Sequence, residues 1–570
     1  MSGDTAGTAI SAAAAPRQKR GGMYSLLLRD SVIYGGGRML QKFLNALLLP
    51  LYTSYLTPQD YGVLGIVLVT VTLIDVIVTL GFDAAFARFY FDDKTDLFRN
   101  KVVTGVFYVD TVYPLVLLGA MAVFMPQISR VLMRQDGFAL YFSIALIGEF
   151  FINWADLAFQ LFRLEHRPWV FTFYNLGRIL IQVPLTVVLV VVFRMGVLGV
   201  LVGNAVTSFV ICMASLPTYW RRLSVRVDTD LLRRMAAFAV PAVFTGLIFF
   251  ILKLSDRFFL LRYRGGAEVG LYTTAFTLSQ PVYLAMMAFR MAWPQWHFAR
   301  LNEPERHKQL VARSSTYFIL VCATMVVGIG VFMPLVVRLL LRNPAYWSVG
   351  PTTFVLSLGT VLYSLYFVFW VGANVAKKNR LIPVITAVAS GVNVAANIIF
   401  IPKYGMIAAA WTTFAGFGVL AALMLPISHH YYPIRFEWLR FVKIAVASGV
   451  ALAAAWAMGR ATGESVRMPL EALVPREALK LAAFLLLPLV LLLTGFFTAG
   501  ERRAATAALS KAARLLGVHR LRDISRRTRP RAGPPRPHEL DQQSRLAEDD
   551  ELELELAARI DIVEGGDQSP

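Results

Sequence analysis

Fourteen apolar runs of twenty or so residues, separated by short polar loops, fill most of this chain: about 31–54, 61–82, 102–125, 139–162, 169–193, 196–218, 235–260, 269–294, 314–338, 350–373, 381–402, 405–427, 440–459 and 478–499. A run of that length, wound as a helix, crosses a hydrocarbon layer of about 30 Å. Inside lipid every backbone N–H and C=O must bond within its own segment, which leaves the α-helix as the solution for such runs. The chain therefore reads as an all-α polytopic membrane protein with about 14 transmembrane helices. Only 16% of its residues are charged and 57% are hydrophobic, against roughly a quarter charged in a soluble domain. Soluble enzymes, disordered proteins and disulfide scaffolds are excluded on that ground.

The remaining charge is lopsided, with 56 Lys and Arg against 36 Asp and Glu and a net charge of +20. In a soluble protein this would suggest nucleic acid; in a membrane protein it reads as topology and contact with anionic lipid, with no nucleic acid partner. Loops after even-numbered segments are basic, for example Arg88, Lys94, Arg99 and Lys101, or Arg221, Arg222, Arg226, Arg233 and Arg234. Loops after odd-numbered segments are poorer, apart from 460–480 with Arg460, Arg467, Arg476 and Lys480. Both termini are thus expected in the cytoplasm. Residues 1–22 lack the apolar core of a signal peptide, so the first run is expected to stay as an anchor. Cys212 and Cys322 lie inside apolar runs, and neither they nor the seven histidines are spaced as metal ligands. No metal and no organic cofactor are expected.

The chain repeats itself. Gly62, just after segment 1, and Gly270, just after segment 7, sit in similar surroundings 208 positions apart; Gly196 and Gly405, which open segments 6 and 12, are 209 apart. The pattern predicts two pseudo-symmetric six-helix lobes that insert the same way round, plus a C-terminal helix pair. The expected organisation is 1–23, an N-terminal cytoplasmic segment; 24–220, the N-lobe; 221–430, the C-lobe; 431–499, helices 13 and 14; and 500–570, a tail that is first basic and amphipathic, then acidic.

An ionisable side chain at bilayer depth costs at least about 2.5 kcal/mol and must face a cavity or a partner. Arg38 and Lys42 stand four apart on one face of segment 1, with no acidic neighbour in their own helix, and read as an anion site. Asp75, Asp110 and Glu149 fall in segments 2, 3 and 4, Arg178 in segment 5, Lys253 in segment 7 and Arg290 in segment 8. For several of these a plainer role stands beside the functional one. Arg178 would serve equally to neutralise Glu149 or Asp110. Arg290 and Asp156 are near enough to a helix end to reach the interface. Asp256 and Arg257 suit local pairing at an outer vestibule.

Several stretches resemble a known family. LTPQDYG at 56–62, LGFDAAFARFY at 80–90, DRFFL at 256–260 followed by EVGLY at 268–272, and IPKYG at 401–405 within 393–410 resemble the polysaccharide flippases of the multidrug/oligosaccharidyl-lipid/polysaccharide exporter superfamily. The resemblance covers about 24–430. It implies movement of an oligosaccharide on undecaprenyl diphosphate from the cytoplasmic to the periplasmic leaflet, for O-antigen, capsule or exopolysaccharide assembly, by two lobes rocking around a cationic cavity. It implies Arg38, Lys42, Arg178, Lys253 and Arg290 as contacts for diphosphate and sugar. Asp75, Asp110 and Glu149 would couple transport to H+ or Na+, or balance those cations. The implied partners are the lipid-linked glycan, membrane lipids, and the polysaccharide polymerase and chain-length proteins. The 70-residue tail departs from the family.

Two other readings stand beside this one. A multidrug antiporter of the same fold would need an acidic, cation-binding cavity. A polymerase or ligase acting on the same lipid would need a catalytic loop outside the membrane, and the longest available, 460–477, has Glu464 and Glu471 but no histidine. No Walker-type phosphate loop is present, so ATP is not expected as the fuel.

Overall fold

The computed structural model describes residues 48–298, 303–463, 465–498 and 500–501. Its helices run α1 Leu49–Tyr55, α2 Pro58–Val78, α3 Phe82–Phe89, α4 Asp96–Val123, α5 Met125–Met133, α6 Ala139–Leu164, α7 Pro168–Val187, α8 Gly196–Ser215, α9 Pro217–Trp220, α10 Thr229–Leu254, α11 Asp256–Tyr263, α12 Gly266–Phe298, α13 Pro304–Leu340, α14 Gly350–Val375, α15 Ile382–Tyr404, α16 Met406–Tyr431, α17 Trp438–Ala461 and α18 Leu470–Leu493. Among the described residues, eleven helices are long and apolar enough to cross a membrane, and they correspond to segments 2–7 and 9–13. Segments 8 and 14 form the long helices α12 and α18. Of segment 1 only the end, α1, lies within the described residues; the basic and acidic stretches of the tail lie outside them. The chain divides into two units at Phe496 and Phe497, and the second is described only in its first residues.

Local chemistry sets where helices begin and end. α2 opens on a reciprocal cap: the Asp60 backbone N–H donates to Thr57 Oγ1 at 3.2 Å, and the Thr57 N–H donates to Asp60 Oδ2 at 3.1 Å. Pro58 follows at the first helical position, where its missing N–H leaves no bond unmade. The helix stops earlier than the apolar run, because Leu80 and Gly81 both turn left-handed, at φ 46° and 70°. Segment 7 is likewise two helices: the Asp256 carboxylate accepts the Arg257 backbone N–H at 2.9 Å, a local bond that competes with continuation of α10. A π-helical stretch, Val188–Val192, follows Pro184 in α7. α18 starts at Leu470 rather than 478, so Arg476 and Lys480, expected in a basic loop, belong to the helix. Most of the charge that made that loop exceptional is therefore helical.

Helices 2 and 12 run side by side from one face of the bundle. A Cβ on Gly62 would lie 3.1 Å from the Gly270 nitrogen, and one on Gly270 2.9 Å from the Gly62 nitrogen, so only glycine permits this approach. On the same face Tyr346 Oη donates to the Leu56 carbonyl at 2.9 Å, and the Met406 N–H donates to Glu268 Oε2 at 2.9 Å. A shared core joins the first and second halves of the chain there, with Tyr61, Tyr272, Val337, Tyr346 and Ile401 all buried.

A second core lies around α3, α4, α6 and α8 and takes in Leu231, Met235 and Ala239 from the start of α10. Further along α10, Ser390 Oγ of α15 donates to the Ile248 carbonyl at 2.9 Å. This helix thus belongs to both halves. Outward faces of α7, α15, α17 and α18 expose Phe173, Leu180, Ile399, Val442 and Leu485, as a bundle bathed in acyl chains would. Buried hydroxyls in α14 bond back one turn, Ser357 Oγ to Thr353 O at 2.8 Å and Thr360 Oγ1 to Leu356 O at 3.0 Å, so they are satisfied without water.

Candidate functional site

The acids of the first-half helices gather around one cavity. In the first half, a cavity of about 220 Å³ is lined by Asp75, Asp83, Asp110, Asn153, Asp156 and Gln160, and α10 closes its wall with Ala242, Val243 and Gly246. Glu149 sits beside it, within hydrogen-bond reach of Asp75. Gln160 Nε2 donates to Asp83 Oδ1, and Asn153 Nδ2 donates to the Glu149 carbonyl at 3.0 Å. Arg178 of α7 approaches Asp156 and Glu149 electrostatically. Of the two acids offered to it by the sequence, Glu149 is reached and Asp110 is replaced by Asp156.

The polar face of α6 carries most of this cluster. Glu149, Asn153, Asp156 and Gln160 recur at steps of four, three and four, the spacing of one helical stripe. That stripe was available in the sequence. Asp156 was instead read as an interface residue, and Asp83 as part of a loop motif.

In the second half two cations, Lys253, half-buried, and Arg290, exposed, stand on aromatic rings. Lys253 Nζ stands 4.2 Å above the Tyr363 ring, with Tyr283 at 5.7 Å and Phe249 at 6.0 Å. The Arg290 guanidinium lies 4.5 Å from the Phe367 ring centre. Tyr363 itself is fixed by stacking on Tyr366 at 5.9 Å and on Phe417 at 4.8 Å. Lys253 and Arg290 feel each other's charge, and among the described residues neither pairs with a carboxylate. Ring quadrupoles hold such cations at bilayer depth without neutralising them. Arg38 and Lys42 lie outside the described residues.

Asp256 and Arg257 form a tight structural knot at the start of α11, each with a side chain only 2–3% exposed. Arg257 Nη1 donates to Asp256 Oδ1 at 3.4 Å, Tyr272 Oη and Thr413 Oγ1 donate to Asp256 Oδ2, the latter at 3.2 Å, and the guanidinium lies 4.5 Å from the Phe276 ring. The pair ties α11 to α12 and α16. Among the described residues no group of three or more His, Cys, Asp or Glu is placed to hold a metal ion.

At the mouth of α10 the Leu231 backbone N–H and the Lys101 ammonium, at 3.1 Å each, hold the Asp228 carboxyl below the usual carboxylate range. This cap joins α10 to the start of α4.

Known proteins share the sequence pattern of part of this chain and its fold. Residues 27–294 match the family described as polysaccharide biosynthesis protein. A protein of the Lsg locus of Haemophilus influenzae is 23% identical over 285 residues, which is 49% of this chain and 67% of that one. Among solved structures, the lipid II flippase MurJ in an inward closed conformation superposes with a TM-score of 0.65 at 14% identity, covering 80% of this chain and 98% of that one. An inward-facing multidrug resistance transporter of the MATE family gives a TM-score of 0.58 at 15% identity, covering 70% and 97%. A transporter of the same superfamily from Pyrococcus furiosus, described as having a binding pocket of reversed polarity, gives 0.55 at 16%, covering 71% and 95%. Sequence and fold agree that residues 27–294 of this multi-pass membrane protein are similar to polysaccharide biosynthesis proteins, on a fold shared with the solved MurJ and MATE transporters.

Proposed function

We propose that the chain turns an undecaprenyl-diphosphate-linked oligosaccharide from the cytoplasmic to the periplasmic leaflet of a bacterial inner membrane, as a transporter rather than an enzyme. The observation that carries this reading is the pair Lys253, half-buried, and Arg290, exposed, two cations seated on aromatic rings in α10 and α12. A diphosphate drawn through hydrocarbon needs positive groups that are not already spent on carboxylates. Phenol and phenyl rings beside them suit the apolar faces of sugars. Arg38 and Lys42 of segment 1, outside the described residues, would serve as further contacts for the diphosphate, and Arg178 would join them when the carboxylates near it are protonated.

The acidic cavity takes the other role. Asp75, Asp110 and Glu149, with Asp83 and Asp156, would exchange H+ or Na+ during the cycle, and α10, which walls this cavity and carries Lys253, would link the two events. The first half, 24–220, and the second, 221–430, act as rocking lobes, joined in this state where α2 and α12 begin. With both termini cytoplasmic, the basic loops lie on the cytoplasmic side and that junction closes the periplasmic one. A cytoplasm-negative potential favours outward movement of each negative charge by about 2.3 kcal/mol per 100 mV. The polymerase and chain-length proteins of the same assembly would receive the product.

Reconstituted vesicles carrying a labelled undecaprenyl-diphosphate glycan test this. Lys253→Met combined with Arg290→Gln should abolish leaflet transfer while the protein remains folded. Unchanged transfer would sink the proposal. The acidic cavity is also what a multidrug antiporter would use, so export of cationic dyes by the same vesicles, without glycan transfer, would decide for that reading.

A further inference from the structure

A further cavity lies away from both charged clusters. It has a volume of about 780 Å³ and sits between the ends of α13 and α17, the beginning of α14 and the middle of α18. Its walls are mostly apolar: Val331, Val337, Phe354, Leu452 and Trp456 among others. Two cations, Arg460 and Lys480, stand at one side of it.

Three features define what fits. The first is depth. Trp456 is 64% exposed, and the Arg460 guanidinium lies 4.4 Å from its ring centre one turn further on. A tryptophan and an arginine at the end of a spanning helix mark the level of lipid headgroups. The second is charge. Lys480 is buried beside Glu477 at 3.5 Å, Arg460 adds a positive charge, and Arg338 rests 4.3 Å from the ring of Trp347, a residue of the cavity wall. The backbone of α14 begins at Gly350 on the same wall and presents its positive end. The third is shape. Gly330, Gly350, Gly459 and Gly463 line the hollow and leave room that side chains would fill.

We propose that this cavity binds one anionic phospholipid of the surrounding bilayer, its phosphate between Arg460 and Lys480 and its acyl chains against the wall formed by Val331, Phe354 and Leu452. A site of this size accommodates a headgroup and the upper part of the chains, and basic clefts between spanning helices select anionic headgroups. The bound lipid fastens the C-terminal pair, α17 and α18, to α13. The inference is independent of what the central clusters transport.

Native mass spectrometry of the purified full chain, titrated with phosphatidylglycerol, phosphatidylethanolamine or undecaprenyl phosphate, tests it. One phosphatidylglycerol should be retained where phosphatidylethanolamine is lost. Arg460→Gln should weaken retention roughly fivefold, and adding Glu477→Gln with Lys480→Met, which removes the buried pair together and leaves the net charge of the single variant unchanged, should weaken it further by the loss of the Lys480 contact. Ala455→Phe, which fills the hollow and keeps both cations, should also reduce retention. Thermal unfolding in detergent confirms that each variant is folded; if the triple variant is not, Arg460→Gln and Ala455→Phe decide. Equal retention of the two phospholipids, wild-type retention in the folded variants, or displacement of phosphatidylglycerol by undecaprenyl phosphate would overturn the proposal, the last by assigning the site to the transported lipid.

Discussion

Gly62 and Gly270, 208 positions apart in the chain, press backbone against backbone where α2 and α12 begin. The two residues whose similar surroundings suggest an internal repeat are the two that touch. A methyl group at either site meets main chain, which cannot swing aside. Gly62→Ala or Gly270→Ala should therefore destabilise this closed junction by about 1–3 kcal/mol, as overpacking does. Cysteine labelling at Leu56 should rise in both variants. Gly119→Ala, where nothing lies within reach of a new Cβ, should leave labelling unchanged.

The aromatic seat of Lys253 makes a sharper prediction than removal of the lysine. Tyr363→Phe keeps the ring and should bind glycan lipid within about twofold of wild type, whereas Tyr363→Leu should lose about 0.5–2 kcal/mol of cation holding and weaken binding accordingly. Equilibrium binding of a fluorescent undecaprenyl-diphosphate glycan distinguishes the two.

Arg178 and Asp156 should behave as partners. Arg178→Met alone leaves excess negative charge around the cavity, and Asp156→Asn alone removes a counter-charge from Arg178; each should lower the unfolding temperature. The double variant should recover part of that loss. Thermal unfolding in detergent, analysed as a double-mutant cycle, gives the coupling.

The Asp256–Arg257 knot should be structural. Asp256→Ala strands a guanidinium that is almost fully buried and should cost about 3–5 kcal/mol. Tyr272→Phe removes one hydrogen bond to a charged acceptor, about 1.5–3 kcal/mol. Both effects should appear in unfolding temperature before any change in glycan binding.

The Asp228 cap predicts a pH dependence. Its carboxyl is held below the usual range by Leu231 N–H and Lys101, so its contribution is fully present above about pH 4 and is lost as the pH falls through the lower folded value. Asp228→Asn keeps the cap but not the charge and should flatten the acid limb of the unfolding profile. An acid limb identical to wild type would contradict it.

Much of this architecture was legible in the chain. Apolar runs gave the spanning helices, because hydrocarbon leaves the backbone so few alternatives. Helix ends were less legible: Leu80 and Gly81 cut α2 short by adopting left-handed geometry, and the Asp256 carboxylate ends α10 by a bond to its own neighbour. Hydrophobicity alone registers neither. The candidate site was half visible. Each charge could be picked out singly, yet which of them gather depends on which helices meet, as Arg178 finding Asp156 shows. The Glu149–Gln160 stripe was the one signal in the sequence that joined several of them.

α10 changes allegiance along its length: Met235 and Ala239 are buried among the helices of the first half, and Ile248 accepts a bond from α15 of the second. Between them stands Pro241, which has no N–H for the Ala237 carbonyl. The ladder thus lacks a rung where the helix passes from one half to the other. A swing of the halves can be absorbed there by bending one rod at its weakest joint, with both of its grips left intact.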